Sequence, residues 1–531
     1  MDSIDKPTAV MLAELLHAYG VRDAVVSPGS RCAPLTAVLS RSGSFSLRTV
    51  IDERSAAFVA LGIALAADRP VALVCTSGSA LMNYGPALAE AYYRHVPLVV
   101  VSADRPYDMI DAGLCQTMRQ PDALAAVTRA RVDVPDDSSV RAMAYANRRL
   151  NEVLTAATWP VAGPVHVNMQ FDVPLTPICA DARAGYGRRI TVLRGVPSAP
   201  SAEAMAALFP AGTRVLVVAG GMRPSPGLLD LLSQRRGYVV AAEAQANLAS
   251  VRDCTPDCFV ASSAAPAPDV VVTVGGSLVT AAVGRWMAAH PGVRHVAVGT
   301  DSPMPDAFGR IDAYVSCGDE EFFRALVACL EGSTYRDDVV GSLGPEPVLM
   351  PRGNALEQLV SLLPDADYHF GNGMSVRYGQ RLAVRGRVEA NRGVSGIDGC
   401  TSTAIGAAMA SGRMTVLVSG DMGAAYDMGA FALDDIPRGF RMVVIDNGGG
   451  DIFRAVATTR TLPECERFFA VCPRLPLEAL AGAYGLAYYE TSFDSPDADV
   501  LRAFASEGDA PAVMRLPVPR GRSLEFFNVE N

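Results

Sequence analysis

The chain has 531 residues, which is more than one hydrophobic core usually holds, so its length favours about three domains. Its 47 Gly and 36 Pro are dispersed among apolar and charged residues, as is typical of globular proteins, and no apolar run reaches the roughly 18 residues of a membrane span. The net charge of −10 and the lack of a basic block argue against nucleic acid as the main partner, and an N-terminus without a secretory signal predicts a cytoplasmic protein.

Two residue types exclude further kinds of site. Lys6 is the only lysine among the 46 Lys and Arg residues, so a Schiff-base lysine or a Walker A loop is excluded elsewhere in the chain. Genomic base composition is the simplest reason for this preference for arginine. The 11 cysteines are scattered, and the closest pair, Cys254 and Cys258, has no second pair at zinc-ligand spacing. We therefore expect reduced thiols.

The first third of the chain alternates extended apolar segments with helical ones. The predicted strands lie in DAVVSPGS, TVIDE, PVALVCTSG and VPLVVVSADRP, and the helices between them include SAAFVALGIALAA and ALMNYGPALAEAYY. This rhythm predicts a parallel sheet covered on both faces. The turns at the strand ends, where functional residues gather, are 27–31, 52–53, 76–79 and 103–106. We predict an N-terminal domain over residues 1–185.

A segment rich in Pro, Gly and Ala at 175–205 predicts a linker to a second α/β domain over residues 190–340. Its predicted strands lie in TRVLVVAGG, GYVVAAEA, DVVVTVGGS and VRHVAVGTD. The pairs Gly220–Gly221 and Gly275–Gly276 do not complete the dinucleotide-binding pattern GxGxxG. We interpret both pairs as strand-end turns.

A second linker, GSLGPEPVLMPRGN, precedes a third domain, which we predict over residues 350–531. The same strand–helix rhythm recurs in DYHFGNGMSVR, GIDGCTSTAIGAAMASG, MTVLVSGD and RMVVIDNGGGDIF. The predicted fold class is therefore α/β, with three successive doubly wound units and mainly parallel sheets.

Oxygen-bearing residues follow two strands of the third domain. Asp421 follows the strand VLVSG, and Asn447 and Gly449 follow RMVVID. A carboxylate, an amide oxygen and a main-chain carbonyl are suitable ligands for a hard cation that holds a diphosphate, and the glycines allow main chain to approach the phosphates. Taken alone, this pattern is equally an ordinary strand end and turn.

Glu53 adds a second element, because it stands between the strand segment TVIDE and an apolar helix. Thiamine diphosphate needs both a metal-binding turn and a carboxyl group that hydrogen-bonds its aminopyrimidine ring, so that the ring can act as a base. Taken alone, a glutamate here is also consistent with stabilisation of the helix dipole. Together, the two elements favour a thiamine diphosphate enzyme.

Several long segments resemble the 2-succinyl-5-enolpyruvyl-6-hydroxy-3-cyclohexene-1-carboxylate synthase (MenD) family. They are SPGSRCAPL, IDERSAAFVALG, VALVCTSGSALMNYGPALAEAYYRHVPLVVVSADRP, GNGMSVR, NRGVSGIDGCTSTAIG and SGDMGAAYDM through DNGGGDIF. They span most of the first and third domains, whereas the middle domain matches only in its general pattern.

The resemblance implies a thiamine diphosphate-dependent transferase that forms carbon–carbon bonds in menaquinone biosynthesis. The implied reaction is decarboxylation of 2-oxoglutarate and addition of the succinyl-semialdehyde carbanion to isochorismate, with release of CO₂. The family also implies a homodimer or homotetramer, in which each cofactor lies between the first domain of one subunit, which binds the pyrimidine, and the third domain of another, which binds the diphosphate and metal.

The resemblance assigns roles to particular residues. Glu53 is the expected catalytic residue, and Ile397 is the apolar wedge that bends the cofactor. The residues expected to contact the cofactor are Glu53, Ile397, Gly420, Asp421, Met422, Asn447 and Gly449. Asp421, Asn447 and the Gly449 carbonyl are the expected ligands of Mg²⁺ or Mn²⁺. The expected substrate-binding residues are Ser30, Arg31, Arg105, Gln116, Arg377, Arg392, Ile452 and Phe453.

The four arginines also have a physical rationale, because both implied substrates are dicarboxylates and the guanidinium fork binds a carboxylate at two points. Four positions depart from the family pattern. Asp446 stands where an asparagine is usual, Gly373 and Gly423 replace serines, and Cys115 replaces a frequent asparagine. The charge of Asp446 is expected to influence metal affinity.

Two alternatives remain open from the sequence. A different thiamine diphosphate enzyme, such as an acetolactate-synthase-like ligase or a simple 2-oxo acid decarboxylase, would keep Glu53 and the metal turn but gives no reason for the four arginines together. A noncatalytic protein that binds thiamine diphosphate would keep only the fold. The complete Glu–Asp–Asn set argues against this second alternative.

Overall fold

The chain folds around three parallel sheets. The structure, a computed structural model, describes residues 6–175, 185–193, 200–300 and 304–522, so much of the predicted linker at 175–205 lies outside the described residues. The three sheets have six, five and six strands, and helices alternate with strands along the chain. This arrangement confirms the predicted α/β class with three successive units.

The first sheet has the strand order β2-β1-β3-β4-β6-β5. Its strands are β1 Asp23–Val26, β2 Ser46–Thr49, β3 Val71–Cys75, β4 Leu98–Asp104, β5 Ala130–Val134 and β6 Val165–Gln170. The helices are α1 Pro7–Ala18, α2 Ala33–Arg41, α3 Glu53–Ala67, α4 Ala80–Asn83, α5 Gly85–Tyr93 and α6 Val140–Ala156. The central strands β3 and β4 are buried along their whole length, as expected for a sheet with helices on both faces.

The second sheet has the order β11-β10-β9-β7-β8. Its strands are β7 Val215–Ala219, β8 Tyr238–Ala242, β9 Val270–Val274, β10 Arg294–Gly299 and β11 Ala313–Ser316. The helices are α7 Ala202–Leu208, α8 Pro226–Ser233, α9 Pro256–Ala261, α10 Ala282–Ala289, α11 Asp319–Cys329 and α12 Tyr335–Val340. The two Gly-Gly pairs follow β7 and β9, and Gly276 N–H donates to the Gly221 carbonyl at 2.8 Å. They are strand-end turns whose main chains touch.

The third sheet has the order β13-β12-β14-β15-β17-β16. Its strands are β12 Asp367–Phe370, β13 Val388–Glu389, β14 Thr415–Gly420, β15 Phe440–Asp446, β16 Ala487–Glu490 and β17 Ala512–Pro517. The helices are α13 Ala355–Leu362, α14 Met374–Gly379, α15 Cys400–Ser411, α16 Asp421–Tyr426, α17 Asp451–Ala455, α18 Ala457–Arg460, α19 Leu477–Ala483 and α20 Ala498–Ala505. Strands β14 and β15 are neighbours, so the segments that follow them leave the same edge of the sheet.

Internal packing divides the chain into two units. Unit 1 comprises Met1–Leu193, Gly393–Thr415 and Tyr426–Phe440, and unit 2 comprises Arg194–Arg392, Val416–Ala425 and Arg441–Asn531. The first sheet belongs to unit 1, and the second sheet belongs to unit 2. The domain boundaries at 1–185, 190–340 and 350–531 stay predictions.

Helices α3 and α15 pack closely within unit 1. A side chain at Gly62 would overlap the Thr403 carbonyl, and one at Gly406 would overlap the Val59 carbonyl. The two glycines therefore allow the helix backbones to touch. Most of α3 is buried and apolar, and each large apolar side chain so buried stabilises the fold by roughly 1.5–3 kcal/mol.

Two composition-based points have structural counterparts. Among the described residues, no helix has both the length and the apolarity needed to span a membrane. The cysteines in the described part of the chain are free thiols, and Cys254 and Cys258 are both buried.

Candidate functional site

The glycine-rich turn after β15 lies beside the end of β14 in unit 2. Asp421, the first residue of α16, is buried, and its Oδ2 accepts a hydrogen bond from the Gly449 N–H at 2.7 Å. Asn447 is 7% exposed, and its Oδ1 is buried with no hydrogen-bond partner in the described part of the chain. Gly449 has a φ of +113°, and a side chain there would collide with the carbonyls of residues 470 and 471. The structure thus joins Asp421 to Gly449 and leaves the Asn447 oxygen available to a ligand.

A divalent cation fits these donors. Burial raises the pKa of Asp421, the nearby carboxylates of Asp446 and Asp451 raise it further, and the N–H groups of Gly449 and Met422 lower it. A bound cation would offset this negative charge. An unsatisfied buried amide oxygen costs about 1–3 kcal/mol, and a metal–oxygen bond would remove that cost. Among the described residues, no three His, Cys, Asp or Glu side chains cluster as a metal site, so the candidate is this mixed oxygen set.

Asp446 forms an ion pair with Arg515. The Nε of Arg515, on β17, donates to Asp446 Oδ2 at 2.7 Å, and the Nη1 of the same guanidinium donates to Glu490 Oε2 at 3.2 Å. These two carboxylates raise the pKa of Arg515, so the guanidinium stays charged. The negative charge of Asp446 is therefore compensated within unit 2.

Apolar side chains adjoin the glycine-rich turn after β15. A side chain at Gly450 would lie 2.6 Å from the Phe453 ring and 3.0 Å from the Met422 sulfur, so both residues border this glycine. Ile452 and Phe453 are half-buried on α17, and the Phe453 ring centroid lies 5.9 Å from that of Phe469. Unit 2 therefore brings the predicted residues Met422, Ile452 and Phe453 to the same turn.

The two predicted arginines of unit 2 contact one short turn after β12. Arg377 donates to the Gly373 carbonyl at 2.6 Å, and Arg392 donates to Asn372 Oδ1 at 3.1 Å. The turn adjoins the end of β14, because Gly371 N–H donates to the Val418 carbonyl at 2.8 Å. Gly373 has a φ of +98°, a conformation that favours glycine over residues with a side chain.

Glu53 lies at the first position of α3 in unit 1. The expected strand ends earlier than the segment TVIDE predicts, because β2 stops at Thr49. Asp52 caps the helix, and its Oδ1 accepts a hydrogen bond from the Arg54 N–H at 3.0 Å. Glu53 is half-buried, and no hydrogen bond or ion pair of its carboxylate occurs among the described residues. The prediction of a strand-end residue is therefore corrected to a helix N-terminus, with the carboxylate unpaired.

Arg31 and Arg105 lie close enough to repel one another. Burial and the charge of Arg105 lower the pKa of Arg31, and Arg31 donates to the Phe171 carbonyl at 2.8 Å. The Nε of Arg105 is buried without a hydrogen-bond partner among the described residues, and its Nη2 lies 3.9 Å from Cys115 Sγ. Two adjacent like charges with unused donor capacity are suited to an anion.

Ser30 and Gln116 are both exposed in unit 1, and Gln116 has a φ of +57°. A side chain at Gly78 would lie 3.7 Å from Gln116, so the loop with Gln116 reaches the turn after β3. The structure therefore brings Gln116 to one of the predicted strand-end turns.

Ile397 is half-buried in the segment before α15. Glu90, which the sequence analysis missed, is 1% exposed and accepts hydrogen bonds from the Gly393 and Val394 N–H groups, both at 2.8 Å. At the other side, Asp427 accepts from the Ser402 N–H at 2.7 Å and so caps α15. These two buried carboxylates fix the segment that carries Ile397.

A second group that the sequence analysis missed is a polar network at the end of the first sheet. Its members are Ser102, Asp104, Gln120, Asp133, His166, Asn168 and Gln170, and all but Asp133 are buried. The alternation of polar and apolar residues in VHVNMQ was the available signal, because it gives β6 a polar face.

Comparisons with known proteins identify the family of the chain. Residues 7–126 match the family model described as thiamine pyrophosphate enzyme, N-terminal TPP binding domain. This range contains Ser30, Arg31, Glu53, Arg105 and Gln116.

Relatives named 2-succinyl-5-enolpyruvyl-6-hydroxy-3-cyclohexene-1-carboxylate synthase match along nearly the whole chain, and three examples follow. The protein from Porphyromonas gingivalis is 33% identical over 98% of this chain and 96% of its own length. Those from Desulfotalea psychrophila and Flavobacterium johnsoniae are 33% and 30% identical, over 90% and 96% of this chain and 92% and 96% of their own lengths. The chain therefore belongs to the family of thiamine diphosphate-dependent 2-succinyl-5-enolpyruvyl-6-hydroxy-3-cyclohexene-1-carboxylate synthases.

Proposed function

We propose that this enzyme decarboxylates 2-oxoglutarate and transfers the remaining succinyl unit to isochorismate, releasing CO₂ and forming 2-succinyl-5-enolpyruvyl-6-hydroxy-3-cyclohexene-1-carboxylate for menaquinone biosynthesis. The observation that carries the proposal is the contact between Asp421 and Gly449 beside a turn where Asn447 has an unpaired buried oxygen. Family membership, by whole-length similarity, supports the choice of reaction.

Unit 2 supplies the proposed metal and diphosphate site. Asp421, Asn447 and the Gly449 carbonyl would hold Mg²⁺ or Mn²⁺, whose charge offsets the diphosphate. The Gly449 carbonyl already accepts the Asp451 N–H at 2.8 Å and keeps a second lone pair for a cation. Gly420 and Met422 would contact the cofactor. Thiamine diphosphate, when bound, supplies the electron sink for decarboxylation.

Unit 1 supplies the proposed proton-transfer group. Glu53 would hold a proton at the pyrimidine ring nitrogen and exchange it with the ring. A carboxylate suits this role when no protein donor competes for it, and Glu53 has no such donor among the described residues. Ile397 would press on the cofactor as an apolar wedge.

Arginines would bind the substrate carboxylates. Arg31 and Arg105 form an anion-binding pair in unit 1, joined there by Ser30 and Gln116, and Arg377 and Arg392 serve in unit 2. Ile452 and Phe453 would line the pocket with apolar surface and exclude water from the reacting groups. This division gives each dicarboxylate substrate cationic partners.

We further propose a cytoplasmic homodimer or homotetramer. In this assembly each cofactor lies between the N-terminal domain of one subunit and the C-terminal domain of another. Size-exclusion chromatography with light scattering measures the assembly, and an active monomer would contradict it.

The reaction is tested with purified protein, thiamine diphosphate and Mg²⁺. We expect CO₂ release from 2-oxoglutarate and a coupled product only when isochorismate is also present. A preference for pyruvate would indicate an acetolactate-synthase-like enzyme, and cofactor binding without CO₂ release would indicate a noncatalytic protein.

Matched arginine variants test the substrate site. Arg105→Ala should raise the KM of at least one substrate by tenfold or more, because a carboxylate loses its guanidinium partner. Arg48→Ala is the control, since Arg48 already pairs with Asp23 at 3.2 Å. Equal effects of the two variants would remove Arg105 from the site.

A further inference from the structure

The buried network of unit 1 centres on Asn168, at the carboxyl end of β6. The side-chain oxygen of Asn168 accepts from Ser102 Oγ at 2.7 Å and from Gln120 Nε2 at 2.8 Å. Its side-chain nitrogen donates to Asp104 Oδ2 at 2.9 Å and to Asp133 Oδ1 at 2.8 Å. All four hydrogen-bonding positions of the amide are therefore used, and they connect β4, β5, β6 and the loop after β4.

Gln120 ties this centre to the loop that carries the proposed substrate-binding residues. It is fully buried, its Oε1 accepts from the Gly78 N–H at 2.7 Å, and its Nε2 also donates to the Ala103 carbonyl at 3.2 Å. Residues 111–116, just before it, are all exposed, and they include Gln116. Gln120 is thus the buried anchor of an otherwise exposed loop.

Asp104 ties the same centre to the arginine pair. Its Oδ1 accepts from the main-chain N–H of Arg105 at 2.8 Å, while its Oδ2 is held by Asn168. Burial raises the pKa of Asp104 to about 6, and the charge of Arg31 opposes that rise. Asp104 therefore holds the main chain of Arg105 in place. Its carboxylate also offsets the electrostatic repulsion between the guanidinium groups of Arg31 and Arg105.

We propose that Gln120, Asn168 and Asp104 are positioning residues that hold Arg105 and Gln116 in the geometry needed to bind a substrate carboxylate. The identity of the substrate in this inference rests on the proposed function. The network is placed at the carboxyl edge of the sheet, where sites of parallel α/β folds form. Its hydrogen bonds connect the loop to the ends of the strands. A carboxylate-binding guanidinium depends on such support, because small misplacement of a binding group weakens binding strongly.

Substitution of Gln120 separates positioning from general stability. Gln120→Ala should raise the KM of one of the two carboxylate substrates by tenfold or more and change kcat by less than threefold, because the loss weakens binding in ground state and transition state alike. Asn151→Ala is the matched control. Asn151 is also buried, donates to the Asn147 carbonyl at 2.7 Å and accepts from the Ile190 N–H at 2.7 Å, but it lies on α6 outside the network. It should leave both KM values within twofold of wild type.

Asp104→Asn provides a second, nearly isosteric variant if Gln120→Ala does not yield folded protein. It should also raise KM by tenfold or more, because an amide nitrogen cannot accept the Asn168 donor and the negative charge beneath Arg105 is lost. Unchanged KM values in both folded variants, or an equal rise in Asn151→Ala, would overturn the proposal.

Hydrogen exchange of the loop gives a readout that does not depend on turnover. In Gln120→Ala holoenzyme, the Gly78 amide, which loses its hydrogen bond to Gln120, and the hydrogen-bonded loop amides of Met109 and Ile110 should exchange at least tenfold faster than in wild type, whereas Asn151→Ala should leave their rates unchanged. Unchanged exchange in Gln120→Ala would overturn the anchor. Failure of the wild type to convert 2-oxoglutarate and isochorismate would instead refute the proposed function, while the exchange data would still decide whether Gln120 holds the loop.

Discussion

Asn447→Ala should have opposite consequences with and without the cofactor. In the protein alone, the Asn447 Oδ1 is buried with no hydrogen-bond partner in the described part of the chain, so the substitution removes an unsatisfied group. The relief of about 1–3 kcal/mol opposes a loss of packing of similar size, and we therefore expect the unfolding free energy to change by less than about 1 kcal/mol. With cofactor and Mg²⁺, the same change removes a proposed metal ligand.

The size of the cofactor effect follows from linkage. A ligand present at about 100 times its Kd stabilises the folded state by about 2.7 kcal/mol, and a hundredfold weaker affinity reduces this gain to below about 1 kcal/mol. Thermal unfolding with and without thiamine diphosphate and Mg²⁺ measures the gain as a shift in Tm. We expect a clear upward shift in wild type and little or none in Asn447→Ala.

A satisfied asparagine supplies the comparison. Asn151 is 3% exposed and uses its side chain in several hydrogen bonds, including one from Tyr19 at 2.9 Å, so Asn151→Ala should lower the stability of the protein alone by about 1–3 kcal/mol and keep the cofactor shift. If Asn447→Ala without cofactor lowers the unfolding free energy as much as Asn151→Ala does, the Asn447 oxygen is not unpaired in the protein alone. A full cofactor shift in Asn447→Ala would remove this residue from the metal site.

Three other perturbations have defined outcomes. Glu53→Gln should abolish nearly all turnover with only modest loss of cofactor binding, because an amide cannot exchange a proton with the ring, while Asp52→Asn on the same helix end should stay active; wild-type-like turnover of Glu53→Gln would exclude the role. Burial raises the folded-state pKa of Asp427 to about 6 from its model-peptide value of 3.8, so its carboxylate increasingly destabilises the folded state as pH rises from about 4 to about 6. Hydrogen exchange measures the free energy of opening of α15, and between about pH 4 and pH 6 this free energy in Asp427→Asn should rise by about 3 kcal/mol relative to wild type. A difference between the two proteins that does not change with pH would contradict the burial argument. Gly406→Ala should destabilise by about 1–3 kcal/mol or more through collision with α3, whereas Gly482→Ala, with open space around it, should be neutral or slightly stabilising; equal Tm values for the two would contradict close helix packing.

The turn proposed to bind the metal could be predicted from the sequence because the carboxyl ends of neighbouring parallel strands meet at one edge of the sheet. Strand periodicity located β14 and β15, and the residues just after them, Asp421, Asn447 and Gly449, carried the oxygen donors. Their contact required only that the two strands be neighbours, which the strand order confirms. The compensation of Asp446 by Arg515 was not accessible, because β17 pairs with β15 from about 70 positions away and only the register Val444↔Arg515 places the two charges together.

Glu53 shows how local signals compete. The β-branched residues before it favour a strand, whereas Asp52 is a strong N-cap followed by an apolar helical segment. The cap determined the outcome, since Asp52 accepts the Arg54 N–H and Glu53 opens the helix. The strand predicted in TVIDE was too long, because β2 stops at Thr49 and Glu53 is the first residue of α3. The role of Glu53 stays a prediction.

The sequence by itself determined the α/β class with three successive sheets, the strand ends that carry the proposed site, and the family, because these depend on periodicity and on short runs of contiguous residues. Only the tertiary structure revealed the buried network beneath Arg105. The pattern VHVNMQ predicts a strand with one polar face exposed to water, yet all six residues of β6 are buried. Its polar face is satisfied by side chains from β4, β5 and Gln120, far away in sequence. Burial and hydrogen-bond pairing are properties of the assembled fold, so no local pattern specifies them.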